Sequence, residues 1–553
     1  MKKRRLRIDR IIIFLVTLII LICSICFLLS KMSKKVEKFK EYDRFVASDT
    51  LTSPLYDMNY AETSTITRGS KVTILQDKIE NLGEFYYKIK SNNNEYFIKE
   101  EDLVENLNDV VEEKEMYVKL SSTIYKDSTS SKIESFIKKD NTVEIIGYDN
   151  LNADGTVNMY KVKTDDAEGY IYSKYLSFEV SEEESEYLEY HKDRKFSYDL
   201  YGGSAVNLDY SYREKPTFAN NIMPDDARTL YLTGSKWTLG NIDAYIKLAK
   251  ESNINAFVVD IKDGYMAYES EVAKKYSPSN YKSYSNTLEE YKTAIDKLKK
   301  EGFYVIGRIV AFNDKLFAKD NPTESITTTN GENTTWVSAY SRLSWEFNVE
   351  LAKEAVTEFG FNEIQFDYVR FPESSYSWSK KNYNFKNKYK EEKAETIQNF
   401  LVYATDEIHK LEAYVSADVF GECSGTYVTA YGQYWPAISN IVDVISAMPY
   451  PDHFAKGSYG LSIPWEYPYQ LMKSWAESAV KRQSEIPSPA KVRTWIQAYN
   501  AIHEPYIVYD STKIADQIKG LYDAGLTGGY ITWNAGSSLD KYTSISPAFK
   551  KEY

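Results

Sequence analysis

Three aspartates are spaced so that carboxylates of unlike charge could work together. Asp367 lies in EIQFDYVRFP (363–372), Asp418 in YVSADVFG (414–421) and Asp260 in AFVVDIKD (256–263). In each, apolar residues of strand-forming type run up to the acid. A carboxylate at the C-terminal tip of a parallel strand is the usual seat of chemistry in a β/α barrel. Two such groups, one protonated and one ionised, suit acetal hydrolysis. Asp367 is the nucleophile candidate and Asp418 the acid/base candidate, with Glu422 in reserve. Asp260 could take either role or bind a hydroxyl, and Arg308 and Arg370 could keep Asp367 ionised. Against this stands the plainer reading that Asp367 caps a helix or pairs with Arg370.

Positioning these groups requires a regular scaffold, and the sequence supplies a rhythm from residue 229 onward. Apolar runs recur at 229–234, 256–263, 304–310, 363–369, 414–421, 442–450, 493–499 and 528–536. Amphipathic stretches separate most of them, at 241–253, 288–302, 348–360, 393–411, 468–482 and 512–525. Eight strands alternating with helices over this length predict an α/β fold of (β/α)8 TIM-barrel type. No Gly-rich phosphate loop follows the first run, which argues against a dinucleotide-binding sheet.

Side chains alternate along a strand, so inward positions share parity. That puts Asp367 with Gln365, Asp418 with Ser416 and Tyr414, and Asp260 with Val258 and Lys262. It also puts Gln497 with Trp495 and Tyr499, and Asn534 with Tyr530 and Thr532. Core packing alone would not gather these polar groups at one rim, because unpaired buried polar groups are costly. Tyr450, His453, Gln497 and Asn534 join Asp260, Arg308, Arg370 and Glu422 as substrate-binding candidates. Trp336, Trp378, Trp435 and Trp465 fall on expected rim loops, where flat faces could stack on sugar rings. The four histidines, 191, 409, 453 and 503, are far apart and no HExxH occurs, so neither a metal nor another cofactor is expected.

The remainder of the chain sets the compartment. A basic tail, 1–10, precedes twenty uncharged apolar residues, 11–30, enough for one membrane-crossing helix. A cleaved signal would have a shorter apolar core and a small-residue cleavage site. An uncleaved anchor is therefore expected, with the basic end cytoplasmic and the rest extracellular. Cys23 and Cys26 lie within the anchor and only Cys423 outside it, so no disulfide staples the ectodomain. Net charge is −12 with no basic patch beyond the N-terminus, which argues against nucleic acid as the partner. After a stalk, 31–50, two mostly β segments, 51–105 and 115–178, echo one another. Their pattern resembles bacterial SH3-like domains, ending in Gly169-Tyr170-Ile171 and Tyr175-Leu176 in the second copy; the first lacks the glycine. Such domains imply cell-wall or peptide binding, the alternative being spacers. Residues 179–225 read as linker and lead-in to a domain at 226–553.

The segments YLTG, AFVVDIKD, EIQFDYVRFP, VSADVFG, ISAMPYPDHFAKGSYG, RTWIQAYN and GGYITWNA, in this order, closely resemble a bacterial family described as a putative glycosyl hydrolase domain. The resemblance covers about residues 225–550. It implies a TIM barrel distantly related to the α-amylase and α-galactosidase groups, with a glycosidase-like site at the rim. Asp367 matches the fourth-strand nucleophile of those groups and Asp418 the fifth-strand aspartate of the motif. One departure is the absence of an acidic residue near Pro436, in GQYWP (432–436). The expectation is a membrane-anchored hydrolase of cell-wall or surface polysaccharide, peptidoglycan included. The alternatives are a barrel that only binds glycan, or a carbohydrate esterase lacking its usual metal set.

Overall fold

A computed structural model describes residues 8–32, 39–92, 94–111, 115–178 and 199–553. The chain is mixed α/β and divides into two compact units: residues 1–113 with 150–157, and residues 114–149 with 158–553. An apolar helix, Ile8–Met32, opens the first unit.

Two seven-stranded antiparallel sheets follow, one from Tyr42 to Val104 and one from Glu115 to Ser177. Their strand orders are identical, 3-2-6-5-4-1-7 counted within each. The echo in sequence is therefore a repeated topology. The first sheet begins at Tyr42, inside the segment expected to be stalk. In the second, a Cβ on Gly169 would meet the Tyr125 carbonyl oxygen at 2.3 Å, which explains the glycine there.

The second sheet packs on the large domain. Ser121 N–H donates to Asp209 Oδ2 at 2.7 Å, and Tyr403 O–H donates to the Ser131 carbonyl at 2.7 Å. Buried Asp406 accepts from Tyr175 O–H and, at 2.8 Å, from Lys174 Nζ. Asp209 belongs to the segment expected to be linker.

The large domain is a nearly closed parallel barrel. Its strands are Ala227–Leu232, Ala256–Lys262, Tyr304–Val310, Glu363–Asp367, Tyr414–Phe420, Val444–Met448, a seventh in two pieces (Lys491–Val492 and Thr494–Gln497), and Gly529–Trp533. The two pieces make nine strand segments in the sheet order. The sixth strand pairs with the first piece through Val444↔Lys491 and Ile445↔Val492, while the second piece pairs with the eighth strand. The strands are buried on both faces, so apolar residues recur on both sides of most runs.

Helices cover the outside and are held by their own end signals. Leu288–Lys300 begins with a capping box of Thr287 and Glu290, and Arg342–Phe359 ends at Gly360 in the left-handed region, φ 65°. A hairpin, Ser325–Thr327 with Asn333–Val337, lies between the third strand and this helix. The interior is layered. At its base Arg493 Nη1 holds both oxygens of Glu363 at 2.9 and 3.0 Å, and Tyr304 O–H donates to Glu363 Oε2 at 3.0 Å. Val258, Ile306, Trp495 and Ile531 lie in the apolar cluster inside the barrel. The carboxylates come last, at the C-terminal mouth.

Candidate active site

Arg308, on the third strand, organises the mouth. Nη1 donates to Asp260 Oδ1 at 2.7 Å and to Asp263 Oδ2 at 3.0 Å. Nη2 and Nε donate to Asp367 Oδ2 at 2.6 and 3.2 Å. Burial works against its charge, yet Asp367, Asp260 and Asp263 hold its pKa well above the ordinary value. Asp367 Oδ1 accepts the backbone N–H of Tyr368 at 2.6 Å. Asp260 also accepts from Tyr231 O–H, and burial raises its carboxyl to about 6 despite Arg308.

Asp418 is enclosed beside them. Its Oδ1 accepts from Trp495 Nε1 at 2.7 Å, and its Oδ2 lies 3.9 Å from Arg308 Nε with no hydrogen-bond partner among the described residues. Burial first, and the charge of Asp367 second, push its pKa well above the carboxylate range. Gln433 braces this corner: Oε1 accepts the Phe420 N–H at 3.0 Å, and Nε2 reaches the carbonyls of Asp418 and Val369 at 3.2 and 3.4 Å. This buried amide stands in the GQYWP segment where an acidic residue was expected.

Other expected residues are placed differently. Arg370 does not reach Asp367. It donates to the Phe371 carbonyl and to Glu373, with its guanidinium against Phe420, Tyr368 and Trp336. Glu422 is exposed and accepts from Tyr431 and Tyr427 hydroxyls. Tyr450 lies in the inner cluster, edge-on to His453. Gln497 Oε1 accepts the Asp452 N–H at 3.2 Å, and Tyr499 O–H donates to Asp452 Oδ1 at 2.8 Å. His453 Nε2 lies 3.4 Å from the same hydroxyl, and burial lowers its pKa.

Three expectations are corrected. Asn534 does not join the mouth: inner positions of the eighth strand are Ile531 and Trp533, while Tyr530 faces the helices. Asn534 instead holds the following turn, donating to the Ala498 carbonyl and accepting from Ser538 N–H. Lys262 leaves the Asp260 parity because a bulge follows Asp260; its ammonium pairs with Asp314 at 2.6 Å, over Phe347. Trp435 and Trp465 are buried outside the barrel, bonded to Gln483 and the Pro505 carbonyl. Trp378 stacks on Tyr383.

The bulge brings Asp263 to Arg308, a contact the alternation rule hides. Trp533 was also missed, for the same parity reason that misplaced Asn534; its ring lies 5.5 Å from the Arg308 guanidinium and 4.7 Å from Tyr231. Among the described residues no group of three His, Cys, Asp or Glu side chains is arranged to hold a metal ion.

The site is thus an acidic, aromatic-lined mouth at the C-terminal end of a parallel barrel. The profile of the family described as "Putative glycosyl hydrolase domain" matches residues 229–539, and the chain belongs to that family. No curated protein matches it. Among solved structures, it is similar to a hypothetical protein from Ruminiclostridium thermocellum, with 35% identity over 34% of this chain and 97% of that one, TM-score 0.29. The PgaB (BpsB) glycoside hydrolase domain of Bordetella bronchiseptica has 12% identity over 58% and 99%, TM-score 0.40. The spore cortex-lytic enzyme SleL of Bacillus megaterium has 13% over 64% and 81%, TM-score 0.37.

Proposed function

We propose that the chain is a membrane-anchored, outward-facing glycoside hydrolase of cell-wall or surface polysaccharide, acting through Asp367 at the barrel mouth with Glu422 as its proton donor. The observation that carries this reading is a carboxylate held at the barrel mouth by a buried guanidinium. Arg308 Nη2 pairs with Asp367 Oδ2 at 2.6 Å, and Asp418 is enclosed beside it, its pKa raised by burial and by the charge of Asp367. A carboxylate so placed can serve acetal hydrolysis as nucleophile or base.

Asp367 is the group that faces the sugar, as nucleophile or base. The Asp418 side chain is 0% exposed, so it does not reach the substrate itself. The proton for the leaving oxygen then comes from Glu422, exposed just beyond the fifth strand. Trp533, half-buried beside Arg308 and packed on the buried Tyr231, lines the floor on which the sugar ring rests. The apolar helix supports the anchor: Arg10–Phe27 has mean hydropathy 2.9 and no buried share. The first sheet domain is the part suited to hold the enzyme near the wall, while the second is engaged with the barrel.

The enclosure of Asp418 favours a second reading, a barrel that binds glycan without cutting it. The full chain in detergent, wild type beside Asp367→Asn, separates the two by reducing-sugar release from purified cell walls and a glycan panel. Release by wild type alone supports hydrolysis through Asp367. Binding of the same glycan by both, with release by neither, supports the binding barrel and overturns hydrolysis.

A further inference from the structure

Tyr368 directly follows Asp367 and has φ 49°, in the left-handed region. A β-carbon makes that region unfavourable, and such conformations persist only where their surroundings impose them. Two contacts do so here. The Tyr368 N–H donates to Asp367 Oδ1 at 2.6 Å, and its ring lies 4.7 Å from the Arg370 guanidinium. The turn thus fixes the carboxylate and the ring together.

Arg370 collects two further rings. Its guanidinium lies 4.4 Å from Phe420, at the end of the fifth strand, and 5.3 Å from Trp336, on the hairpin after the third strand. The Arg370 side chain is 3% exposed, whereas Trp336, Tyr368 and Phe420 are only half-buried. Trp336 and Tyr368 lie 6.0 Å apart with ring planes 51° from parallel, too tilted to stack on each other. Segments from three successive strand ends are therefore pinned by one enclosed cation, and each of the three aromatic residues stays partly exposed. A brace alone would need Arg370 and Glu373; it would not need a strained tyrosine joined to the carboxylate.

We propose that Trp336 and Tyr368 form a subsite that stacks the apolar C–H face of a pyranose ring beside Asp367, with Arg370 as the residue that positions both. This rests on the glycan reading above and adds where a ring is held and by which side chains.

The test is binding by the full chain in detergent, carrying Asp367→Asn so that no glycan is consumed. The probes are N-acetylglucosamine and glucose hexasaccharides and sonicated cell-wall glycan, titrated by calorimetry. Adding Trp336→Ala is expected to weaken binding about tenfold, with Trp336→Phe recovering part of the loss. Tyr368→Ala is expected to do the same. In the otherwise wild-type enzyme, Trp336→Ala should raise KM by about the same factor and leave kcat within about threefold. Arg370→Lys keeps the charge but not the planar stacking, and should raise KM likewise. If Asp367→Asn protein binds a probe and folded Trp336→Ala and Tyr368→Ala variants bind it equally well, the subsite is overturned while the glycan reading stands. If Asp367→Asn protein binds no probe, both fall.

Discussion

The indole N–H of Trp495 donates to one oxygen of Asp418 at 2.7 Å, while the other oxygen has no hydrogen-bond partner among the described residues and lies 3.9 Å from Arg308 Nε. A buried carboxylate would need more than one donor, so this environment suits the neutral acid. An amide has the same shape and charge. Asp418→Asn is therefore expected to keep reducing-sugar release within about tenfold of wild type, whereas Asp367→Asn and Glu422→Gln each lose roughly a hundredfold or more. A thousandfold loss in Asp418→Asn would make Asp418 itself the proton donor.

Asp260 gives the fold a pH signature. Burial raises its carboxyl to about 6 in the folded protein, above the ordinary carboxylate range. The folded state therefore disfavours its charged form, and the associated stability is present below the unfolded value and lost as pH rises through about 6. Between pH 4 and pH 7, wild type should lose on the order of 3 kcal/mol relative to Asp260→Asn. Urea unfolding of both proteins at several pH values measures this; a gap that does not change with pH would refute it.

The base of the barrel holds an ion pair with both side chains 0% exposed, Glu363 with Arg493. Removing one partner leaves the other charged and buried. Glu363→Gln should destabilise the large domain by about 3–5 kcal/mol, seen as an earlier urea midpoint with little change in slope.

Docking of the second sheet depends on Asp406, which accepts from both Tyr175 and Lys174. Tyr175→Phe removes one of these donors and should cost about 1.5–3 kcal/mol. Hydrogen exchange should quicken in residues 115–178 before it does in the barrel strands. Equal protection in the variant would mean that the contact contributes nothing.

The barrel was legible because strand-length runs rich in apolar residues recur at regular intervals and the main helices carry the 3.6-residue period. Asp367, Asp418 and Asp260 were legible because a carboxylate at the end of such a run has few reasons to be there. What parity could not supply was the facing of the eighth strand. Tyr530, Ile531, Thr532 and Trp533 are uncharged and bulky on both faces, so nothing in their order tells inside from outside. Lys262 and Asp263 changed places because a bulge leaves no mark in composition. Trp435 and Trp465 were misplaced because helix-facing gaps take large aromatics as readily as a mouth does. The engagement of the second sheet could not be read at all, since Tyr175 and Asp406 lie in different domains and their types alone do not announce a pair.

The interrupted seventh strand means that the rim is a clasp and not a hoop. Above Ile445 the sixth and seventh strands share no register pairs, and the gap is spanned by side chains, Gln497 to the Asp452 N–H and Tyr499 to its carboxylate. Main-chain ladders part only when the fold does, but side-chain links exchange partners freely. Above Ile445, then, this side of the rim is held by side chains and not by paired backbone.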